Sequence, residues 1–260
     1  MIENLFSLSG KTCVVTGGSR GLGAFMAQAF LESGAKRVYI TARKAEACID
    51  AAKELSQYGD CVALPGDVAT VEGITDLVTE LNKRETHLDV LVNNAGTAWG
   101  ADFGQFPVKG WDKVMDVNVK SPFFLTQALA PLLKKSATAE TNAAVINIGS
   151  IAGICGNGLD NLSYAVSKSA IHQLTRVLAT EMASDHVRVN AIAPGRFYSK
   201  MTEFLSSNQE AFEEECKTIP LHRWGQPTDI AGIAIMLASQ AGAFITGQII
   251  AVDGGTTLLN

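Results

Sequence analysis

Short, wholly apolar runs alternate with longer segments of helical period along this chain. Residues 11–16, 37–41, 61–64, 88–92, 144–148, 187–192 and 247–252 are β-rich runs bounded by turn residues. Between them, residues 21–33, 44–58 (closed by Gly59), 71–85 and 161–183 space their apolar positions as helices do. A longer helical stretch at 111–135 contains Pro122, which marks a break or kink. Strands alternating with helices predict βαβ units and a parallel sheet. Runs that are apolar at every position, and not at every second one, predict strands buried on both faces. The expected architecture is α/β: a doubly wound, seven-stranded parallel sheet with helices on both faces. One segment departs from the alternation. Residues 196–221 follow the sixth strand and mix Phe197, Phe204, Leu205 and Phe212 with the acidic cluster 213–215. A connection of that length predicts either a lid over a substrate or a surface helix pair.

Length and charge narrow the classes. The chain has 260 residues, enough for one large domain, and no repeat or linker divides it. A single domain over 1–260, with an insertion at 196–221, is expected. The net charge of −5 comes without a Lys/Arg block, so the footprint of a nucleic-acid binder is missing. No apolar run reaches membrane-spanning length, and residues 1–10 lack a cationic start followed by an apolar stretch. Cys13, Cys48, Cys61, Cys155 and Cys216 are scattered, odd in number and without a CxxC pair. They read as reduced thiols of a cytoplasmic protein. His87, His172, His186 and His222 lack metal-ligand spacing, so no metal is expected and all four read as structural or surface residues.

Chemistry enters with the glycines. The first strand runs into Thr16-Gly17-Gly18-Ser19-Arg20-Gly21-Leu22-Gly23, and a helix opens there. Glycines let backbone turn sharply and approach a pyrophosphate, and the helix N-terminus offers free N–H groups to it. The strand–turn–helix setting makes this a dinucleotide site of the Rossmann type. An acidic residue after the second strand would accept bonds from the ribose 2′-hydroxyl of NAD. The strand ends instead Tyr39-Ile40-Thr41-Ala42-Arg43-Lys44. Arg43 and Arg20 suit a 2′-phosphate, so NADP(H) is the expected cofactor.

Tyr164 and Lys168 are four apart on a predicted helix and share one face. A phenol titrates near pH 10, and a nearby ammonium favours its ionised form. Ser150 falls just past the fifth strand, at the carboxyl end where ligands bind in such sheets.

These segments, with Asp67-Val68, Asn93-Asn94-Ala95-Gly96, Asn118, Pro194-Gly195 and Asp253-Gly254-Gly255, occur in the order found in the short-chain dehydrogenases/reductases. The chain resembles that family over nearly its whole length. Within it, Gly66–Val68, Asn94–Gly100, Val145–Gly153, Ile192–Phe197 and Ile219–Pro227 are similar to the NADPH-dependent β-ketoacyl reductases. The resemblance implies roles. Tyr164 would protonate the carbonyl oxygen, Ser150 would hydrogen-bond it, and Lys168 would hold the nicotinamide ribose and lower the Tyr164 pKa. Asn118 would support a water that continues the proton relay. Gly17, Ser19, Gly21 and Leu22 would line the pyrophosphate. Asp67 and Val68 would hold the adenine, and Asn94, Ala95 and Gly96 would lie by the adenosine ribose. Pro194, Gly195, Phe197 and Ser199 would border the nicotinamide. The implied reaction is NADPH-dependent reduction of a 3-oxoacyl thioester on acyl carrier protein or coenzyme A. The same machinery could serve a sugar, polyol or steroid alcohol dehydrogenase, and a non-catalytic nucleotide sensor is a rival of another class. The family also implies a homotetramer or homodimer assembled through helices 111–135 and 161–183.

Several positions depart from the family pattern. Lys36-Arg37 adds a residue before the second strand, Ser199 stands where threonine is usual, and Gly149 precedes Ser150 where serine is frequent. The Gly149 difference is expected to be neutral. Trp99 is expected either at the substrate or in the packing, and Cys155 as an inert small hydrophobe.

Overall fold

The computed structural model describes residues 4–155, 161–198 and 209–259. Seven parallel strands form one sheet in the order β3-β2-β1-β4-β5-β6-β7. They are β1 (Thr12–Thr16), β2 (Arg37–Thr41), β3 (Cys61–Ala63), β4 (Val90–Asn93), β5 (Ala143–Ile148), β6 (Val187–Pro194) and β7 (Ile249–Val252). Helices α1 (Gly21–Glu32), α2 (Ala45–Leu55) and α3 (Val71–Asn82) connect the first four. Further along lie α4 (Val108–Met115), α5 (Ser121–Ser136), α6 (Leu162–Met182), α7 (Gln209–Lys217) and α8 (Pro227–Ala238). The doubly wound arrangement predicted from the alternation is the one found.

Strand side chains point alternately to opposite faces, and both faces are filled. Cys13 and Val15 of β1 enter a core with Met26 and Phe30 of α1, Ala51 and Leu55 of α2, and Ile230, Ala234 and Leu237 of α8. Val14 points the other way, to Leu77 and Leu81 of α3, Leu125 and Leu129 of α5, and Leu178 of α6. Each fully buried leucine contributes roughly 1.5–3 kcal/mol to folding.

Three asparagines inside this apolar frame are paired. The Asn93 side-chain amide donates to Asn147 Oδ1 (2.9 Å) and Thr126 Oγ1 (3.1 Å). The Asn147 amide donates to Thr175 Oγ1 at 2.9 Å. This chain ties β4 and β5 to α5 and α6, and so fixes α6 against the sheet. Asn190 does the same for the last strand, donating to the Ile245 carbonyl (2.8 Å) and accepting from the Gln248 N–H (3.0 Å).

The structure departs from the predicted elements in two places. The stretch 111–135 is not one helix. It starts at Val108, opens into a single π-helical turn over Asp116–Lys120, and resumes as α5, with Pro122 in the first turn where its missing N–H costs nothing. Helix α8 went unpredicted because it is apolar around most of its circumference. Its start is nonetheless marked by Pro227 and by Asp229, whose Oδ2 accepts from the Gln226 N–H at 2.7 Å.

Candidate active site

The carboxyl ends of β1 to β4 build a cradle. At Gly17 the backbone turns with φ +64, which a side chain disfavours. A β-carbon on Gly23 would lie 2.4 Å from both Gly17 O and Asn94 Nδ2. Asn94 closes this turn, its amide donating to Thr16 O (2.8 Å) and Gly17 O (3.2 Å). Thr16 Oγ1 accepts the N–H groups of Asn94 and Ala95, both at 2.9 Å. Arg20 takes the N-cap position of α1 in extended backbone, without a side-chain cap, so the first N–H groups of α1 open onto the cradle. Such a turn fits a pyrophosphate, with Ser19, Gly21 and Leu22 at its mouth.

Arg20 and Arg43 are exposed at the rim, and neither pairs with a carboxylate among the described residues. The chain after β3 continues beside β2: Leu64 N–H donates to Ile40 O (2.8 Å) and Gly66 N–H to Ala42 O (3.1 Å). That pairing carries Asp67 toward the end of β2, where Arg43 stands. Asp67 Oδ1 accepts from the Ala69 N–H at 3.1 Å, and the Val68 side chain is buried in the core.

The ends of β4, β5 and β6 build the floor. Ser150 is 8 % exposed, Lys168 5 % and Asn118 2 %. Tyr164 is half-buried. Lys168 Nζ donates to the Ile148 carbonyl at 2.7 Å and lies 5.4 Å from the centre of the Tyr164 ring. Asn118, carried by the π turn, accepts from Thr97 N–H and donates to Thr97 O and to Ser167 Oγ, each at 2.9 Å. Ser167 in turn donates to the Tyr164 carbonyl at 2.7 Å. Gly96 roofs this group: a β-carbon there would sit 3.6 Å from Asn118 Oδ1 and 3.8 Å from Lys168 Nζ.

The electrostatics of the floor differ from expectation. Burial pushes the Tyr164 phenol above its ordinary value, although a hydrogen bond from Ser150 and the charge of Arg196 pull it down. Burial also brings Lys168 down to about 8. The expected lowering of Tyr164 by Lys168 is therefore not what this chain shows. The ammonium faces the ring and bonds a carbonyl, and desolvation of the phenol outweighs the nearby charges.

On the far wall, Pro194 ends β6 and Gly195 packs against Asp253, where a β-carbon would meet Asp253 Cα at 2.8 Å. The Phe197 ring is buried in the core against Gly225, so a nicotinamide could meet only its backbone. Ser199 lies outside the described residues, as do Phe204 and Leu205. In the described part of 196–221, Arg196 Nε reaches Glu215 Oε1 of α7 at 2.6 Å. The Tyr198 and Phe212 rings stack around Trp224, with centroids 5.0 and 5.1 Å from it. Trp99 packs on Gly110 of α4 with Lys113 Nζ over its face, 5.5 Å from the ring centre.

Sequence reasoning missed the chain Asn93–Asn147–Thr175 that steadies α6, and the His172 ring packed behind Ser150. Asparagines inside otherwise apolar strands were the available signal for the first. Gly149 was a signal for the second, because a β-carbon there would lie 2.2 Å from His172 Nε2, so the glycine is not neutral.

A family model described as enoyl-(acyl carrier protein) reductase matches residues 17–257. The chain is 52 % identical, over 96 % of its length and 97 % of the relative's, to a rhamnolipids biosynthesis 3-oxoacyl-[acyl-carrier-protein] reductase of Pseudomonas aeruginosa. It is 38 % identical, over 98 % of both chains, to a 2-dehydro-3-deoxy-D-gluconate 5-dehydrogenase of Escherichia coli. Among solved structures, the Pseudomonas aeruginosa RhlG/NADP active-site complex superposes with a TM-score of 0.95 at 50 % identity, covering 98 % of this chain and 99 % of that one.

Proposed function

This chain belongs to the short-chain dehydrogenase/reductase family, and on that premise we propose that it reduces the 3-oxo group of an acyl thioester to a 3-hydroxyacyl thioester with NADPH. The observation that carries the reading is the group of buried Ser150, Lys168 and Asn118 with half-buried Tyr164, facing a glycine cradle rimmed by two exposed arginines. The cradle, closed by Asn94 where a β-carbon would not fit, suits the pyrophosphate of NADP(H). Arg20 and Arg43 suit its 2′-phosphate, Asp67 and Val68 its adenine, and Ala95, Gly96, Pro194, Gly195, Phe197 and Ser199 the ribose and nicotinamide. When bound, that group supplies the hydride.

The protein's own residues control the oxygen and its proton. Negative charge grows on the carbonyl oxygen, and donors from Ser150 and Tyr164 stabilise it where it develops. Tyr164, a phenol protonated at neutral pH in any case and pushed further that way by burial, has a proton to deliver. Lys168 holds the ribose hydroxyls, and Asn118 supports a water that resupplies the proton. The described residues 196–198 and 209–221 of the segment after β6 would border the acyl chain.

A second reading has its own support. The gluconate-type relative, at 38 % identity, favours a sugar-acid oxidoreductase on the same floor. A panel of 3-oxoacyl thioesters, free ketones and keto-sugar acids, assayed by NADPH absorbance, decides between them. The thioesters should lead in kcat/KM by at least tenfold; a lead for the sugar acids would replace the proposal, and no turnover with any carbonyl would revive a sensor role.

The acyl group would arrive on acyl carrier protein or coenzyme A in the cytoplasm, a setting that five free cysteines suit. Among the described residues no helix is long and apolar enough to cross a membrane. An outward groove lined by Met115, Val119, Phe123, Phe124 and Leu174 suits pairing with a second copy. The partly exposed β7 edge and the fully exposed Phe244 would extend a dimer to a tetramer. Light scattering at tetramer or dimer mass is expected; a monomer would remove this part of the reading.

A further inference from the structure

His172 sits one turn beyond Lys168 on α6, on the face that carries Tyr164 and Lys168. It is only 4 % exposed, and no step of the reaction uses it. Its Nε2 has no hydrogen-bond partner, while the ring bonds the Gly153 carbonyl, which makes Nδ1 the donor. Nε2 points at Gly149: a β-carbon there would lie 2.2 Å from Nε2 and 2.7 Å from Cδ2. One imidazole thus spans the two glycines on either side of Ser150.

Both glycines are anchored otherwise as well. Gly149 N–H donates to the Ile192 carbonyl at 2.7 Å. The Gly153 carbonyl also accepts from Ser169 Oγ at 3.1 Å, and Gly153 lies so close to α6 that a β-carbon would meet the Lys168 carbonyl carbon at 2.5 Å. Between them Ser150 is held extended at φ −169, its carbonyl accepting from the Gly153 N–H at 3.0 Å. A leucine in place of His172 would fill similar space without leaving a buried acceptor unmet. What the imidazole adds is the bond to Gly153. Burial and the Lys168 charge bring its pKa down to about 4, so it remains neutral with a single donor at working pH.

We propose that His172 is a positioning residue for Ser150: it clamps the turn at Gly149 and Gly153, and glycine at 149 is what admits it. The inference rests on the assignment of Ser150 to the carbonyl oxygen.

The test is a pair of mutant cycles, with kcat, KM and NADPH affinity (by fluorescence titration) measured for each variant. His172→Leu keeps the volume and loses the donor. It should lower kcat about tenfold with NADPH affinity within twofold of wild type. His172→Asn can still reach Gly153 and should stay within about threefold. Gly149→Ala should cost at least tenfold in kcat beside His172, and less than twofold in the His172→Asn background. In the Ser150→Ala background, His172→Leu should cost nothing further, because coupled sites are non-additive. Equal losses from Gly149→Ala in both backgrounds, or a full additional loss in Ser150→Ala, would overturn the clamp while leaving Ser150 in place. A Ser150→Ala enzyme with wild-type kcat would instead overturn the role of Ser150. If His172→Leu does not fold, the His172→Asn and Gly149→Ala cycle decides alone.

Discussion

The floor and the rim of the cleft are built on opposite terms. Ser150, Lys168 and Asn118 are buried and bonded on several sides. Arg20 and Arg43 stand in solvent, paired to no carboxylate among the described residues. Burial gives the floor control of protonation: it raises Tyr164 and brings Lys168 down to about 8. Exposure leaves the rim only charge and reach. Chemistry therefore sits where the fold is least negotiable, and cofactor choice sits where a surface substitution can change it.

If that division is right, Tyr164→Phe removes the proton donor and nothing else. Turnover should fall at least a hundredfold with NADPH affinity nearly intact; near-wild-type turnover would take Tyr164 out of the reaction. At the rim, Arg43→Asp should cut the preference for NADPH over NADH by roughly tenfold or more in kcat/KM, with turnover at saturation little changed. An unaltered preference would place the 2′-phosphate elsewhere. The Lys168 ammonium gives a third handle. Its folded value near 8 lies below the free lysine value, so the charged form is present below about pH 8 and lost above it. Reductive kcat/KM should fall as pH rises through that value, and a flat profile to pH 9 would exclude a need for the cation.

The smallest effect has the opposite sign to the others. A lysine whose folded pKa is depressed makes folding less favourable below its unfolded value near 10.5, so holding the cation costs stability at neutral pH. Lys168→Met should abolish turnover yet raise Tm by a few degrees, since about 1 kcal/mol moves Tm by roughly 2–4 °C in a domain of 150–250 residues. A lowered Tm would mean that the bond to Ile148 outweighs the desolvation.

Local spacing made much of this readable in advance. The alternation of apolar runs and helical periods pointed to the sheet, because each strand and helix carries its pattern within its own length. Gly17–Gly23 and the Tyr164–Lys168 pair were readable for the same reason. What escaped reading depends on residues far apart. Asn93 and Asn147 meet across 54 positions, and Gly149 meets His172 only after α6 has docked. The π turn escaped because periodicity over 111–135 averages out one surplus residue. The direction of the Tyr164 shift escaped because spacing shows a neighbouring charge but not how much water has been excluded.

That surplus residue in Asp116–Lys120 is absorbed where it occurs. An indel in an uninterrupted α-helix turns everything beyond it by about 100°, but a π turn takes up one extra position locally, and the helix runs on from α4 into α5. Excising one position would let α4 and α5 join as a regular helix, with Leu125 and Leu129 still directed to the core. What would change is local: Asn118 would lose the place from which it meets Thr97 and Ser167. The extra residue thus serves the cleft and not the packing, and a one-residue deletion there should spare the fold and cost the site.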